Sequence, residues 1–282
     1  PAIDEYIESL VLQIRQKAKE GELDQVETIY IGGGTPSYVG LSRLSMLLYT
    51  LSLSLRLEPD VECSMEANPE RINERLIRDN WALGVNRLSI GVQSFDDEVL
   101  AILGRAHTSE DAQQAVRCAQ ERFDNVSVDL MAGIPGQSDA SFTESVKTAI
   151  DLGVKHVSIY PLTIEPNTPF YKMYMRGELA DTDEDTQARH MEIAETLLRD
   201  AGFERYEVAS YAKPGYACKH NCAYWTGVPY VGLGRSAATM TQNESRRMRL
   251  QDGQVTDDLD RAQMYAEDLM LGMRMSAGVS DE

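Results

Sequence analysis

Along this chain, short alternating runs rich in Val, Ile and Tyr take turns with longer stretches whose apolar positions recur at helical spacing. The alternating runs fall at 27–31, 61–66, 87–92, 126–131 and 156–162, and each is bounded by turn residues, the pattern of β-strands. Helical spacing covers 41–55, 71–83, 109–122 and 138–152. Ser109 before Glu110 and Asp111 reads as a helix start with an acidic first turn. Strands separated by helices of this length imply βα units and a parallel sheet. A helix is also expected at 3–18, so the chain opens inside an element and its true start is expected further upstream. The rhythm breaks at 166–177. A long helix over 183–201 then ends at Gly202, followed by a strand at 206–211, a loop dense in Gly, Pro and aromatics, and a last helix starting near Leu259.

Composition narrows the class without naming a function. The chain has 282 residues, 43% hydrophobic and 26% charged, which suits a globular protein with a substantial core. Its net charge of −18 disfavours nucleic acid as a partner. Arg246, Arg247 and Arg249 form only a brief basic cluster, read as a solvated face. No apolar run reaches transmembrane length and no signal-peptide pattern is visible. Four cysteines make no disulfide framework, which fits a reducing cytoplasm. Peripheral membrane contact and oligomeric state are left open.

Candidate chemistry begins at the first strand, which runs into Gly32-Gly33-Gly34-Thr35. Glycine lets the backbone turn sharply and lets a ligand approach the main chain; the plain alternative is a tight turn. The later strands each reach a polar residue: Glu66, Gln93 and Asp129. Ligands of parallel sheets and barrels sit at the carboxyl ends of strands, so these positions are expected to share one face. Singly, each side chain reads as a loop cap. Arg105, in Leu103-Gly104-Arg105-Ala106-His107, adds a fixed cation suited to a carboxylate. A ligand with hydroxyl, amino and carboxylate groups fits that set. Gly232-Leu233-Gly234-Arg235-Ser236-Ala237 imitates a dinucleotide fingerprint, but no clear βαβ unit surrounds it.

Taken in order, GGGTPS (32–37), EANP (66–69), RLSIGVQSF (87–95), LGRAH (103–107), DLMAGIPGQ (129–137) and YPLTIEPNTP (160–169) resemble the radical S-adenosylmethionine (SAM) family. That family contains oxygen-independent coproporphyrinogen III oxidase and haem chaperones of the HemW type. The resemblance implies an α/β fold, a partial (β/α)6 TIM-like barrel over 1–170, with a smaller α+β region over 171–282. It implies a SAM site of Gly33, Gly34, Thr35, Glu66, Gln93, Arg105 and Asp129, with Met131 and Pro161 as further lining. It also implies a [4Fe-4S] cluster on a Cys-x3-Cys-x2-Cys loop, a pattern this sequence does not contain. The loop is expected upstream of Pro1, either unordered without its metal or truncated. Cys63 and Cys118 read as small buried residues.

Cys218-Lys219-His220-Asn221-Cys222-Ala223-Tyr224-Trp225 carries the second unusual density, a His-Asn-x-x-Tyr-Trp pattern. From spacing alone it reads as a turn whose aromatics pack and whose histidine bonds a carbonyl. It also resembles the haem-associated motif of HemW-type proteins, which makes His220 the candidate haem ligand, with Tyr224 and Trp225 as walls. Thiolates of Cys218 and Cys222 rank below it. The resemblance therefore favours a haem chaperone that delivers haem to acceptor proteins. The alternative is an oxygen-independent coproporphyrinogen III oxidase, and a third reading is another radical-SAM enzyme. Of the other histidines, His156 and His190 have structural readings, while His107 sits at the expected pocket rim.

Overall fold

A computed structural model describes residues 2–33, 36–179 and 183–279. In chain order the elements are α1 (Ala2–Lys19), β1 (Val26–Ile31), α2 (Leu41–Ser54), β2 (Leu57–Ala67) and α3 (Glu74–Ala82). Next come β3 (Arg87–Gln93), α4 (Asp97–Ile102), α5 (Ser109–Gln120), β4 (Asn125–Ala132), α6 (Asp139–Asp151) and β5 (His156–Pro161). They are followed by α7 (Pro169–Met175), α8 (Glu184–Asp200), β6 (Glu204–Glu207), β7 (Ser210–Ala212) and α9 (Lys219–Trp225). β8 (Ala238–Gln242), β9 (Arg246–Gln251), β10 (Gln254–Asp260) and α10 (Arg261–Gly272) complete the chain. One sheet has the order β1-β2-β3-β4-β5-β7-β6 and a second the order β10-β9-β8. The chain divides into two compact units: residues 1–64, 79–86 and 218–282, and residues 65–78 and 87–217.

The second unit has a parallel core, as the alternation predicts. β3 pairs in parallel with β4, and β4 with β5. One face of these strands is fully buried and apolar, with Leu88, Ile90, Val126, Val128, Leu130, Val157 and Ile159 at 0% exposure. The sequence folds this way because period-2 alternation puts every second side chain on one face, where α5 and α6 cover it with Ala112, Val116, Phe142 and Val146. Each such apolar side chain removed from water contributes roughly 1.5–3 kcal/mol. The opposite face carries Arg87, Ser89, Ser127, Asp129, His156 and Ser158, a polar stripe that is also largely buried.

Several expectations need correction here. The segment expected as one strand at 206–211 is two antiparallel strands, β6 and β7, and β7 is antiparallel to β5. The start of α5 is capped by Thr108 rather than Ser109: the Thr108 hydroxyl and the Asp111 carboxylate form a reciprocal capping box. Asp129 does not end its strand, because β4 continues to Ala132.

In the first unit, α1 packs on α2 through Ile7, Val11, Ile14, Leu44 and Leu48. Of the basic cluster, Arg246 is exposed and pairs with Asp258, whereas Arg247 and Arg249 do not lie on a solvated face. Arg247 is 2% exposed and bonds Glu267 at 2.6 Å and Asp268 at 2.7 Å, and Arg249 bonds both Asp257 and Glu267. These ion pairs tie β9 to α10. The glycines of 232–237 serve packing: a Cβ on Gly232 would lie 2.2 Å from Ala238 O, and one on Gly234 would lie 2.5 Å from the Tyr6 hydroxyl. That accounts for the glycines of this fingerprint-like run without a nucleotide.

Candidate functional site

Within the second unit, polar tips converge on Gly91 of β3. A Cβ there would meet Gln93 Nε2 at 3.0 Å, Asn68 Oδ1 at 3.3 Å and Arg105 Nη2 at 3.8 Å. Arg105 donates from Nη2 to Gly91 O at 2.8 Å and to Asn68 Oδ1 at 3.1 Å. Gln93, the last residue of β3, has φ +70°. A glutamine held in the left-handed region is locally strained, a feature that clusters at ligand-binding positions. Behind Arg105, buried His107 donates from Nε2 to Val92 O at 3.1 Å, while its Nδ1 lies 3.5 Å from Glu70 Oε2. Burial depresses the His107 pKa most. The imidazole thus fixes the Arg105 loop against the end of β3.

Asp129 projects from the polar face of β4. Its two carboxylate oxygens each lie 3.1 Å from Ser89 Oγ, which donates to them, and Ser158 also bonds it. Loss of hydration pushes the Asp129 carboxyl up to about 6. Ser158, Arg87 and Ser89 oppose that rise, and the nearby Glu66 charge adds to it. Met131 follows on the same face of β4 and stands opposite Tyr160; Pro161 ends β5 opposite Ala132. Glu66 is the penultimate residue of β2. Donors and acceptors of this kind suit a ligand bearing amino, carboxylate and hydroxyl groups, so the residues present fit SAM. Gly33 belongs to the first unit and has φ +79°; Gly34 and Thr35 lie outside the described residues.

Cluster donors do not fit. Cys63 is buried in β2, where desolvation and then Glu62 raise its thiol to about 12. Cys118 lies on α5 and Cys218 and Cys222 at the start and middle of α9. Among the described residues no group of three or more His, Cys, Asp or Glu side chains is placed to hold a metal ion. An open groove of about 680 Å³ beside α5, lined by Glu70, Glu74 and Cys118, contains none of the expected ligand residues.

In the first unit the His-Asn-x-x-Tyr-Trp segment forms the short helix α9, not a loop. Its N-cap residue, Cys218, makes no side-chain cap bond. Glu62 of β2 supplies the cap: Oε2 accepts from Lys219 N at 3.0 Å, and Oε1 accepts from His220 N at 3.1 Å. The Cys218 thiol, 0% exposed, points at Glu62 Oε1 at 3.4 Å. Its burial removes Cys218 from contention as a ligand to an incoming group. A carboxylate at a helix N-terminus also meets the positive end of the helix dipole.

Within that unit the His220 ring meets Thr28, Tyr30 and Tyr224. Nδ1 lies 2.9 Å from Thr28 Oγ1. The ring stacks on Tyr30 at 4.9 Å and 22°, and meets Tyr224 edge-on at 5.0 Å and 71°. Tyr224 in turn contacts Tyr230 at 4.5 Å. Trp225 turns elsewhere: its ring lies 4.3 Å from the Arg274 guanidinium. Tyr224 is therefore beside His220, while Trp225 packs toward the segment after α10. Sequence reasoning missed Thr28, Tyr30, Tyr230 and Glu62. The signal was present in β1, where Thr28 and Tyr30 are two apart and share a face.

Comparison with known proteins gives the family and the fold. Residues 2–149 match the radical SAM superfamily. The chain is 34% identical to the heme chaperone HemW of Synechocystis sp., over 99% of this chain and 71% of that protein. It is 34% identical to the heme chaperone HemW of Bacillus subtilis, over 99% and 77%, and 39% identical to that of Escherichia coli, over 83% and 61%. Among solved structures, coproporphyrinogen III oxidase (HemN) from Escherichia coli superposes with a TM-score of 0.79, at 22% identity, over 97% of this chain and 69% of that one. That likeness is one of fold, and it agrees with the expected α/β partial barrel of radical-SAM type.

Proposed function

Because the chain belongs to the radical SAM superfamily, in its HemW-like branch, we propose that it binds haem at His220 and passes it to acceptor proteins. One observation carries the reading. His220 sits in an aromatic setting of Tyr30 and Tyr224, on a helix whose first turn is anchored by a buried carboxylate. An imidazole so held is a suitable axial ligand, and tyrosine rings suit the flank of a porphyrin. The heme chaperones among its relatives support the choice of cargo. Glu66, Gln93, Arg105 and Asp129, with Met131 and Pro161, are proposed to hold SAM, Arg105 taking the carboxylate. In this superfamily SAM with a [4Fe-4S] cluster supplies radical chemistry. The four cysteines here do not fit the cluster.

Haemin titration tests the haem reading. Wild type is expected to give a histidine-ligated Soret band that saturates at a defined stoichiometry. His220→Ala is expected to weaken binding or change its ligation while circular dichroism stays that of the wild type. Identical titrations and spectra for the two proteins would refute His220 as the ligand.

A further inference from the structure

We propose that His190 is a positioning residue for the SAM site, its Nδ1 lone pair holding the Gly133 amide where β4 runs out. The inference rests on the SAM reading above and deepens it, to what keeps the lining residues in place. Asp129 and Met131 stand shortly before Gly133, at the end of β4 that this bond holds. Gly133 N donates to His190 Nδ1 at 3.1 Å. A backbone amide has a proton to give and no acceptor to offer, so Nδ1 accepts and the proton of the neutral ring belongs on Nε2. Nε2 lies 3.2 Å from Asp139 Oδ1, which suits a proton there. Burial lowers the His190 pKa most; Asp139 opposes that fall and Arg189 adds to it. The ring is therefore neutral at pH 7, with its lone pair on Nδ1.

The bond is part of a clamp across two strand ends. His190 is 0% exposed, and its ring stacks on Phe142 of α6 at 4.4 Å and 2°. Gln187 lies about one turn earlier on the same face of α8. A Cβ on Gly133 would lie 2.2 Å from Gln187 Cγ, so the loop passes this side chain at a distance that glycine permits. Gln187 Nε2 donates to Leu162 O at 2.8 Å, and Leu162 N donates to Ala132 O at 2.9 Å. Ala132 stands opposite Pro161 in the parallel register. The chain just past β4 and the chain just past β5 are thus tied to each other and to α8. Within that clamp His190 holds the Gly133 amide, while Phe142 and Asp139 of α6 hold the imidazole. Removing the acceptor leaves a buried amide unmet, and the loop relieves that cost by moving, with Met131 and Asp129 behind it.

Asparagine and glutamine separate the bond from the packing. The amide oxygen of asparagine stands where Nδ1 does, and that of glutamine reaches to where Nε2 does. Four full-length, cluster-bearing proteins are titrated calorimetrically with SAM: wild type, His190→Asn, His190→Gln and Arg105→Ala. His190→Gln is expected to lose up to about 30-fold in SAM affinity, the reach of residues that act through a packed network. His190→Asn is expected to recover most of that loss. A role in packing alone predicts the opposite order, since glutamine fills the volume of histidine better. Histidine ¹⁵N NMR of the wild type, which needs no variant to fold, is expected to show Nδ1 unprotonated and Nε2 protonated at His190 at pH 7. An Nδ1-protonated His190, His190→Gln binding as wild type does, or His190→Asn losing as much as His190→Gln would each overturn the role of His190. Those results leave the SAM reading intact if Arg105→Ala still loses SAM affinity. If Arg105→Ala binds as wild type does, the SAM reading itself falls, and the role of His190 with it.

Discussion

Asp129 shows how a single residue became readable and where the reading stopped. Val128 and Leu130 are fully buried on the apolar side of β4, so the alternation that made them core also set Asp129 on the polar side. Its environment was not legible: Ser89 comes from β3 and Ser158 from β5, and only the parallel register brings them to its carboxyl. Burial raises this carboxyl to about 6, above its ordinary value of 3.8. The folded protein therefore holds the proton more tightly than the unfolded chain does. The stability this lends is complete below about pH 4 and is lost as pH rises through about 6. Asp129→Asn is expected to flatten the dependence of the unfolding midpoint on pH between 4 and 7. The contribution removed is at most roughly 2–3 kcal/mol, and less where water reaches the group. Denaturant titrations at several pH values would check it, and parallel curves for mutant and wild type would refute it. A SAM hydroxyl donating to the ionised carboxylate would make SAM affinity rise across the same window.

At the scale of elements, strong local patterns survived and long-range supports did not show. β3, β4 and β5 fell within one or two residues of the alternating runs because their apolar faces are continuous. β8 to β10 were missed because Arg247 and Arg249 stand where a core would want apolar side chains, and their pairing with acids of β10 and α10 lets Arg247 be buried and Arg249 half-buried. α9 was read as a loop for a related reason. Its sequence offers no Ser, Thr, Asp or Asn at the N-cap, and its cap comes from Glu62, far earlier in the chain. That dependence is testable. Glu62→Ala leaves the part-buried donors Lys219 N and His220 N without this acceptor, at a cost of at most about 1–3 kcal/mol each. Hydrogen exchange at those two amides is expected to accelerate, and haemin affinity to fall with it. Unchanged protection at both amides would show that α9 holds without Glu62.

On the scale of the whole molecule, the two proposed chemistries belong to different compact units. The Gly91 cradle, with Arg105, Gln93 and Asn68, is assembled from hydrogen bonds within residues 65–78 and 87–217. The His220 setting, with Thr28, Tyr30, Glu62 and Tyr224, is assembled within 1–64 and 218–282. Each unit is discontinuous in sequence, which is why a division near residue 170 followed naturally from motif order while compactness groups the chain differently. Self-contained support of each set predicts thermodynamic independence, since substitutions that share no partner add with little coupling. Arg105→Ala should weaken SAM binding by about 2–5 kcal/mol, the cost of stranding a desolvated carboxylate, while leaving the haemin titration unchanged. His220→Ala should do the reverse. A double variant whose two losses are the sum of the single ones would complete the case. If Arg105→Ala instead altered haemin affinity, the sites would be energetically linked, and by reciprocity haemin would have to alter SAM affinity by the same factor. Calorimetric titration of each ligand, alone and in the presence of the other, decides between the two outcomes.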